Sequence, residues 1–436
     1  MAKVLIATFP ATGHVNPLLG IARALVLHGH EVLWFTSERH ADKVAGTGAR
    51  FAGHKRTPDF DTSALLDGHP ERDKLRGPAL VNHDIKYAFV QPIPAQVADV
   101  EDVLATFPAD VILTDNAFAG AWVVSRRLGI PWISVGIMPL MVSSRDTAPG
   151  GLGMLPDASP LGRLRNRALG WLAQNVILRD AHRYTQEVTD GLGMGKLPCF
   201  VMEIGIRQPD VFLQGTVPSF EYPRSDLPAN VRFVGPLLPP AARDFQLPAW
   251  WPELSSGKPV VHVTQGTVDN RDLNRLLVPT LQALAHEDVL VVATTGGRPV
   301  SDLGIPVPTN ARVEEFIPHD ALLPHVDVMV TNAGYGGVQR ALSDGVPLVV
   351  AGDTEDKPEV CQRVAWSGVG INLRTGSPTS AKVGAAVMEV LSNPRYKARA
   401  LALQAELSMY DSALEACKAV DELAGAPARR EETAAA

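Results

Sequence analysis

The chain has 436 residues, of which 46% are hydrophobic and 20% are charged, and its net charge is −7. This composition is typical of a chain that buries large cores. It excludes a disordered protein and a surface that binds nucleic acid through bulk positive charge. Three widely spaced cysteines exclude a disulfide framework, and no apolar run approaches the length of a membrane span. We therefore expect a cytoplasmic protein with two large α/β domains, no membrane insertion and no nucleic-acid partner.

The first part of the chain alternates between short apolar runs and segments with helical apolar spacing. Continuous apolar runs are typical of strands that are covered on both faces, and their alternation with helices predicts parallel βαβ units. Strands are predicted at 3–9, 30–36, 109–114 and 132–135, and helices at 18–27 and 117–128. The segment 139–197 breaks this alternation but stays apolar. We interpret it as helices and mobile loops that cap the first half. The Met, Trp and Leu residues within 132–175 either line an acceptor pocket, as we favour, or belong to the core.

A proline-rich segment separates this half from a second one. Eight prolines lie between 216 and 252, a density that neither a helix interior nor a central strand tolerates. The alternation then restarts, with strands predicted at 260–264, 289–293, 313–316, 326–331 and 347–350. We therefore predict a first domain at 1–215, a linker at 216–252, a second domain at 253–395, one long terminal helix at 396–424 and a tail at 425–436. A ligand is expected in the cleft between the two domains.

Two residues of the first half indicate acid–base chemistry. His14 lies in the loop Ala11-Thr-Gly-His-Val-Asn-Pro17, at the end of the first strand, where open parallel sheets bind ligands. A neutral imidazole there can act as a general base, although it can also cap the following helix or bond a backbone carbonyl. Asp115 ends another strand at the same edge of the sheet. Its carboxylate can fix the imidazole tautomer, and it can also be the N-cap of the next helix.

The second half contains a glycine-rich strand-to-helix turn, Val330-Thr-Asn-Ala-Gly-Tyr-Gly-Gly-Val. The free N–H groups and the positive dipole end of such a helix suit a diphosphate. The spacing matches neither the GxGxxG fingerprint nor the P-loop, which argues against hydride transfer and P-loop ATP hydrolysis. On its own the motif would be better explained as a plain turn. However, Thr267 ends another strand where a phosphate could approach, and 355–358 could reach sugar hydroxyls.

Together these motifs resemble the UDP-dependent glycosyltransferases that act on small lipophilic natural products. The similarity covers nearly the whole chain and is most specific at 13–17, 114–115 and 316–358. It implies the α/β fold called GT-B, with two facing Rossmann-like domains, parallel sheets and a final helix that crosses back onto the first domain. It also implies inverting transfer of a sugar from a UDP-sugar, by default glucose, to a hydroxyl of an apolar acceptor. Neither a cofactor nor a metal is implied.

The resemblance also implies roles for individual residues. His14 matches the catalytic base and Asp115 its supporting carboxylate. Phe316 matches the ring that stacks on the uracil, Thr267 the hydroxyl that meets the diphosphate, and Asp356 the acid that holds sugar hydroxyls. The other nucleotide-binding and sugar-binding positions implied are Gln265, Gly266, Ile317, His319, Asn332, Gly334, Gly336, Gly337, Val338 and Lys357.

Four positions depart from the family pattern. Asn332 replaces the diphosphate-binding His, and Gly337 replaces a Ser of the same turn. Arg340 replaces the Glu expected on the ribose; it either supplies positive charge or, as we favour, lies on a solvated helix face. Lys357 replaces the Gln after the sugar-binding acid, and we expect its ammonium to contact the sugar. These departures bear on the identity of the donor more than on the reaction type.

Two other functions are compatible with the sequence. A sugar-nucleotide epimerase or hydrolase of the same architecture would act on the donor without an acceptor. A non-catalytic binding homologue would explain the departures at Asn332, Gly337 and Arg340, although the presence of both His14 and Asp115 argues against it. The DxD sequence at 59–61 has no phosphate motif nearby, so we predict no metal site there.

Overall fold

The computed structural model describes residues 1–59, 71–240, 245–267 and 270–425. Its strands form two sheets, one in each half of the chain, and every strand pair is parallel. Most of the DxD sequence at 59–61 and the predicted tail beyond Gly425 lie outside the described residues. No helix within the described ranges is long and apolar enough to cross a membrane.

The front sheet, formed by the first half, has seven strands in the order β3-β2-β1-β4-β5-β6-β7. They are β1 Lys3–Ala7, β2 Glu31–Thr36, β3 Arg50–Gly53, β4 Val111–Asp115, β5 Trp132–Gly136, β6 Val211–Gln214 and β7 Val231–Phe233. The four strands predicted in this half are confirmed as β1, β2, β4 and β5. The prediction that all of 216–252 is a linker is wrong, because β7 lies inside it as the edge strand. This strand is short and partly exposed, so it has no apolar run by which to recognise it.

The front helices connect these strands and flank the sheet. Among the described residues they are α1 Thr12–Val15, α2 Leu19–Leu27, α3 Ala41–Ala45, α4 Gly77–Asp84, α5 Ile93–Thr106, α6 Gly120–Leu128, α7 Pro160–Leu172, α8 Arg179–Gly191 and α9 Ile204–Arg207. Both helices predicted in this half are confirmed, as α2 and α6. The segment 139–197 contains a loop before α7 and then α7 and α8, which a π-helical segment at Ala173–Ile177 joins, so it consists of helices and loops as expected.

The back sheet, formed by the second half, has six strands in the order β10-β9-β8-β11-β12-β13. They are β8 Val260–Thr264, β9 Leu290–Thr294, β10 Ala311–Glu314, β11 Val328–Thr331, β12 Leu348–Val350 and β13 Gly370–Asn372. All five predicted strands are present, and β13 was not predicted. The helices of this half are α10 Leu277–Leu284, α11 His319–Leu322, α12 Tyr335–Ser343, α13 Lys357–Trp366 and α14 Ser380–Ser392.

The segment predicted as one long helix at 396–424 forms two helices instead. They are α15 Pro394–Leu407 and α16 Ser412–Ala424. The break occurs because the Asp411 side chain accepts the N–H groups of Ala413 and Leu414 and so starts a new helix. Helix α15 packs on the back half through Leu403 and Leu407. Helix α16 packs on the front half, so the chain does cross back.

Apolar layers on both faces of each sheet position the cleft. In β1, Val4 and Ile6 point into one core, whereas Leu5 and Ala7 point into another. This arrangement explains the continuous apolar run, because a strand buried on both faces needs no polar side. The loops after β1 and β4, which we call the front wall, and those after β8, β11 and β12, which we call the back wall, leave the carboxyl ends of the two sheets, where parallel sheets bind ligands. We call the space between them the cleft.

Candidate active site

The structure brings His14 and Asp115 together. His14 lies on α1, directly after β1, and its Nδ1 is 2.8 Å from the Oδ1 of Asp115, the last residue of β4. The Asp115 carboxylate is fully buried and also accepts the backbone N–H groups of Phe9 (2.7 Å) and Ala117 (2.8 Å). The carboxylate therefore cannot turn away from the imidazole.

Only one nitrogen of the His14 imidazole, Nδ1, is bound by Asp115, and the other, Nε2, can accept a proton. The His14 side chain is 16% exposed, whereas the Asp115 side chain has no exposure. Because a carboxylate holds Nδ1, that nitrogen carries the proton in the neutral ring, and Nε2 has a lone pair to accept one. The Phe9 ring lies 5.0 Å from the imidazole and 5.1 Å from the Phe89 ring. Sequence reasoning missed both phenylalanines, although Phe9 immediately precedes the motif loop.

The glycine-rich turn lies at the start of α12. Gly334 is its N-cap and provides no side-chain cap, and the first N–H groups of a helix have no acceptor within it. A side-chain carbon built at Gly334 or Gly336 would meet nothing within 4 Å, and the same holds for Gly13 on the front wall. Ala333 has a φ of 67°, a strained conformation for a residue with a side chain. The turn thus presents donors to open space at the positive end of the helix dipole.

Asn332 joins the glycine-rich turn to the loop after β8. Its Nδ2 donates to the carbonyl oxygen of Gln265 at 2.5 Å, and its side chain is buried. The Gln265 side chain is committed to the protein: its Oε1 accepts the N–H groups of Leu276 (3.1 Å) and Leu277 (3.0 Å) at the start of α10. Its Nε2 also donates to the Asp272 carbonyl at 3.0 Å, so both ends of the side chain are bound to the protein, and the nucleotide contact implied for Gln265 stays a prediction. Gly266 has a φ of 70°, and Thr267, which follows it, is exposed.

Of the residues implied to bind the nucleoside, one is exposed and the others are buried or partly buried. The Phe316 ring is 63% exposed, as a ring that stacks on a base must be. Ile317 and Val338 lie in the core of the back half, where their side chains pack the wall, and their implied nucleotide contacts stay a prediction. His319 lies behind Gly337, and burial lowers its pKa to about 4, with the charge of Arg340 contributing. Its ring is therefore neutral at pH 7.

Arg340 does not lie on a solvated helix face. Its Nε donates to the Asp344 Oδ2 at 2.7 Å, one turn along α12, and its side chain is only 21% exposed. The ion pair neutralises most of the charge that Arg340 could offer to a diphosphate. The structure thus differs from the favoured expectation, because Asp344 lies at the i+4 position and folds the guanidinium back onto the helix.

Asp356 links the back wall to the dyad of His14 and Asp115. It is the N-cap residue of α13 and is partly buried. Burial raises the pKa of Asp356 to about 6, while the charges of Lys357 and, more weakly, of His14 lower it. His14 therefore acts electrostatically on the Asp356 carboxyl across the cleft.

Lys357 is held by the loop that carries it. Its ammonium donates to the Thr354 Oγ1 at 3.1 Å and pairs with the Glu355 carboxylate, and its side chain is 5% exposed. Glu355 has a φ of 54°, so the backbone next to Asp356 is strained. The ammonium points back into this loop, which differs from the expected direct contact with a sugar.

Within the described residues, one cluster of candidate metal ligands is present: His28, His30 and Asp421. It lies at the start of β2, the sheet edge opposite to His14. The His30 Nδ1 accepts the backbone N–H of Ala2 at 3.2 Å, which places the ring proton on Nε2 and leaves no lone pair toward Asp421. This cluster is therefore unsuited to hold a metal.

Comparisons with known proteins agree with this geometry. Residues 278–423 match the family described as erythromycin biosynthesis protein CIII-like, C-terminal domain. The chain is 48% identical to 4'-demethylrebeccamycin synthase of Lentzea aerocolonigenes, over 97% of this chain and 99% of that protein. It is 38% identical to UDP-glycosyltransferase 2 of Phaeomoniella chlamydospora, over 97% and 96% of the two chains.

A solved structure shows the same fold. The glycotransferase of kitacinnamycin superposes with a TM-score of 0.74 at 22% identity, covering 97% of this chain and 98% of its own. The two parallel sheets with a crossing terminal helix are thus the GT-B fold. The chain belongs to the UDP-glycosyltransferase family of enzymes that act on natural products.

Proposed function

We propose that the protein transfers a sugar from a UDP-sugar to a hydroxyl group of an apolar natural product, with inversion at the anomeric carbon and without a metal. The observation that carries the proposal is the hydrogen-bonded dyad of His14 and Asp115 on the front wall. It is electrostatically linked to Asp356 on the back wall. This arrangement supports the proposed roles of His14 as the general base and of Asp356 as the carboxylate that binds sugar hydroxyls.

The dyad supplies the base. The His14 Nε2 takes the proton of the acceptor hydroxyl while the hydroxyl oxygen attacks C1 of the sugar. The bond from C1 to the diphosphate oxygen breaks, and UDP leaves with the electron pair. The attack comes from the side opposite to the leaving group, so the configuration inverts. Asp115 stabilises the imidazolium that forms.

The back wall stabilises the leaving group. Charge that develops on the diphosphate meets the N–H groups of the first turn of α12, at Tyr335 to Gly337, and the hydroxyl of Thr267. Preorganised donors of this kind lower the barrier most where water is excluded. The exposed Phe316 ring supplies a stacking surface for the base.

A screen of donors against acceptors tests this proposal. The protein is incubated with UDP-glucose, other UDP-sugars and thymidine diphosphate sugars, each with a panel of apolar hydroxylated compounds, and products are identified by mass. We expect UDP release matched by a glycoside of one acceptor class. Donor consumption without a glycoside would indicate a hydrolase or epimerase, and nucleotide binding without any turnover would indicate a binding homologue.

A further inference from the structure

Helix α13, which begins beside Asp356, carries a buried charge cluster on its inner face. Arg363 pairs with Glu221 (2.6 Å) and with Glu359 (2.9 Å), and Glu221 also pairs with Arg224 (3.1 Å). All four side chains are at most 6% exposed. Buried charges are tolerated only when they are well paired, so this cluster fixes the orientation of each of its members.

The cluster joins α13 to the front half. The Glu221 Oε2 accepts the N–H of Leu140, which follows β5, at 3.0 Å, and the Leu140 carbonyl accepts from Arg224 at 2.6 Å. The Arg363 guanidinium lies 4.1 Å from the centre of the Tyr222 ring. Arg363 therefore cannot move without breaking contacts in both halves.

The two carboxylate oxygens of Glu359 bind different partners. Its Oε2 is held by Arg363, whereas its Oε1 accepts the N–H groups of Gly151 (2.9 Å) and Gly153 (2.8 Å). Both glycines belong to the front half, in the loop between β5 and α7. The contact thus spans the two halves of the protein.

The close approach of this loop depends on glycine. Gly151 and Gly153 have φ values of 93° and 56°, which disfavour any residue with a side chain. A side-chain carbon on Gly153 would lie 3.1 Å from the Pro358 carbonyl oxygen, so the loop would have to move away from α13. The loop at 150–153 and α13 together border a cavity of about 410 Å³.

This loop lies against the first turn of α13, next to Asp356, the residue proposed to hold sugar hydroxyls. Glu359 lies in the first turn of α13, and its N–H donates to the Asp356 carbonyl at 3.0 Å. We propose that Glu359 is a positioning residue, oriented by Arg363, that holds loop 150–153 over the sugar end of the cleft and keeps water from the donor. This inference rests on the proposed function.

The position of this loop affects which of two reactions the sugar donor undergoes, transfer to the acceptor or hydrolysis. In transfer, the acceptor oxygen attacks C1. In hydrolysis, a water oxygen attacks C1 instead, the bond to the diphosphate breaks, and free sugar and UDP result. Water exclusion by a held loop favours transfer. If the loop is released, the fraction of donor lost to hydrolysis rises.

Two variants release the loop from opposite sides. In Glu359→Gln, the amide NH₂ must face either Arg363 or the two glycine N–H groups, all of which are donors, so one contact is lost. Gly153→Ala pushes the loop off α13 and leaves every charge in place. Glu253→Gln is the matched control, because its partner Arg312 (2.6 Å) is in the same half and far along the chain from α13.

For both variants we expect the ratio of hydrolysis to transfer to rise about tenfold. This is the change in an equilibrium that corresponds to the loss of one hydrogen bond to a charged group. The KM for the donor should rise, and kcat should change less. Free sugar and glycoside are quantified with UDP-glucose and the acceptor found in the screen, and melting temperatures report folding. Should Glu359→Gln fail to fold, Gly153→Ala decides alone.

Two results would overturn the inference and leave the proposed function intact. One is an unchanged ratio of hydrolysis to transfer in Gly153→Ala. The other is that hydrolysis and transfer fall by the same factor in both variants. The same change in Glu253→Gln would also overturn it, because the effect would then be a general one. Absence of any glycoside with the unaltered protein would overturn the proposed function itself, and the inference with it.

Discussion

The nitrogens of the His14 ring have different environments, and Asp115 sets the difference. Because the Asp115 carboxylate accepts two backbone N–H groups in addition to the imidazole, its position is fixed by the fold of the β1 and β4 loops. An amide at this place would bring an NH₂ group toward groups that are themselves donors. The imidazole would then lose its partner or adopt the wrong tautomer.

Asp115→Asn should therefore lower turnover by about 10²–10⁴, the usual contribution of a positioned base. UDP binding should persist, because the diphosphate donors lie in the other half. Steady-state kinetics and calorimetric titration with UDP measure the two quantities. Turnover within a few-fold of the unaltered protein would show that the carboxylate does not support the base.

Asp356 gives the reaction a pH dependence. Burial raises its pKa to about 6 against the opposing charges of Lys357 and His14. The ionised carboxylate is the better acceptor for sugar hydroxyls. The kcat/KM for the donor should therefore rise as pH increases through about 6 and fall below it. An inflection that persists unchanged in Asp356→Asn would assign it to another group.

Lys357→Gln should move this inflection to higher pH, because it removes a positive charge that favours the Asp356 carboxylate. It also frees Glu355 from its ion pair, which should alter the preference among donor sugars. The pH profile and the relative rates with several UDP-sugars measure the two effects. If neither changes, Lys357 has no part in donor recognition.

The position of a residue at the end of a strand is easier to predict from the sequence than the direction of its side chain. His14, Asp115 and Asp356 each follow an apolar run, so their place at the sheet edge could be predicted. The hydrogen bonds of Gln265 to the start of α10 could not be predicted, because they depend on where Leu276 and Leu277 lie when the chain returns. Ile317 and Val338 likewise point into a core that only the packed structure defines.

At the scale of elements, the start of α12 is the part of the back wall that a diphosphate would touch. Gly336 lies in the first turn, and a methyl group there would enter open space rather than protein. Alanine also has the higher helix propensity, by about 1 kcal/mol. The protein should therefore tolerate the substitution, whereas a bound diphosphate should not.

Gly336→Ala should weaken UDP binding by about tenfold or more, the value of a hydrogen bond to a charged group. The melting temperature should stay the same or rise. Gly170→Ala on α7, also in open space but in the other half, is the matched control. Unchanged UDP affinity would remove this turn from the nucleotide site.

The elements that sequence reasoning missed share physical features. Strand β7 has three residues that are all at least partly exposed, so its pairing with β6 and not its composition makes it a strand. The break between α15 and α16 depends on one capping side chain, that of Asp411, within a segment of helical spacing. Long buried strands such as β1 and β8 were predictable because burial on both faces leaves an unbroken apolar run.

At the scale of the whole molecule, α16 ties the end of the chain to the front half. Cys417 and Val420 are buried against α2 in the front core. Val420→Asp would place an unpaired charge in that core, whereas Lys418 on the same helix is 60% exposed. Substitutions at the buried Val420 and the exposed Lys418 can therefore be compared to test whether α16 stabilises the front half.

Val420→Asp should lower the free energy of unfolding by about 3 kcal/mol or more. Lys418→Ala should change it by less than about 1 kcal/mol, because its ion pair with Glu415 is exposed. Urea unfolding measures both. Equal stability of the two variants would mean that α16 contributes little to holding the front half.

The proposed transfer depends on an imidazole of the front half that faces a nucleotide site of the back half. Turnover and UDP affinity of His14→Ala, measured on the same preparation, test it most directly. We expect glycoside formation to fall by about 10²–10⁴ while UDP binds as it does to the unaltered protein. Undiminished glycoside formation by this variant would contradict it.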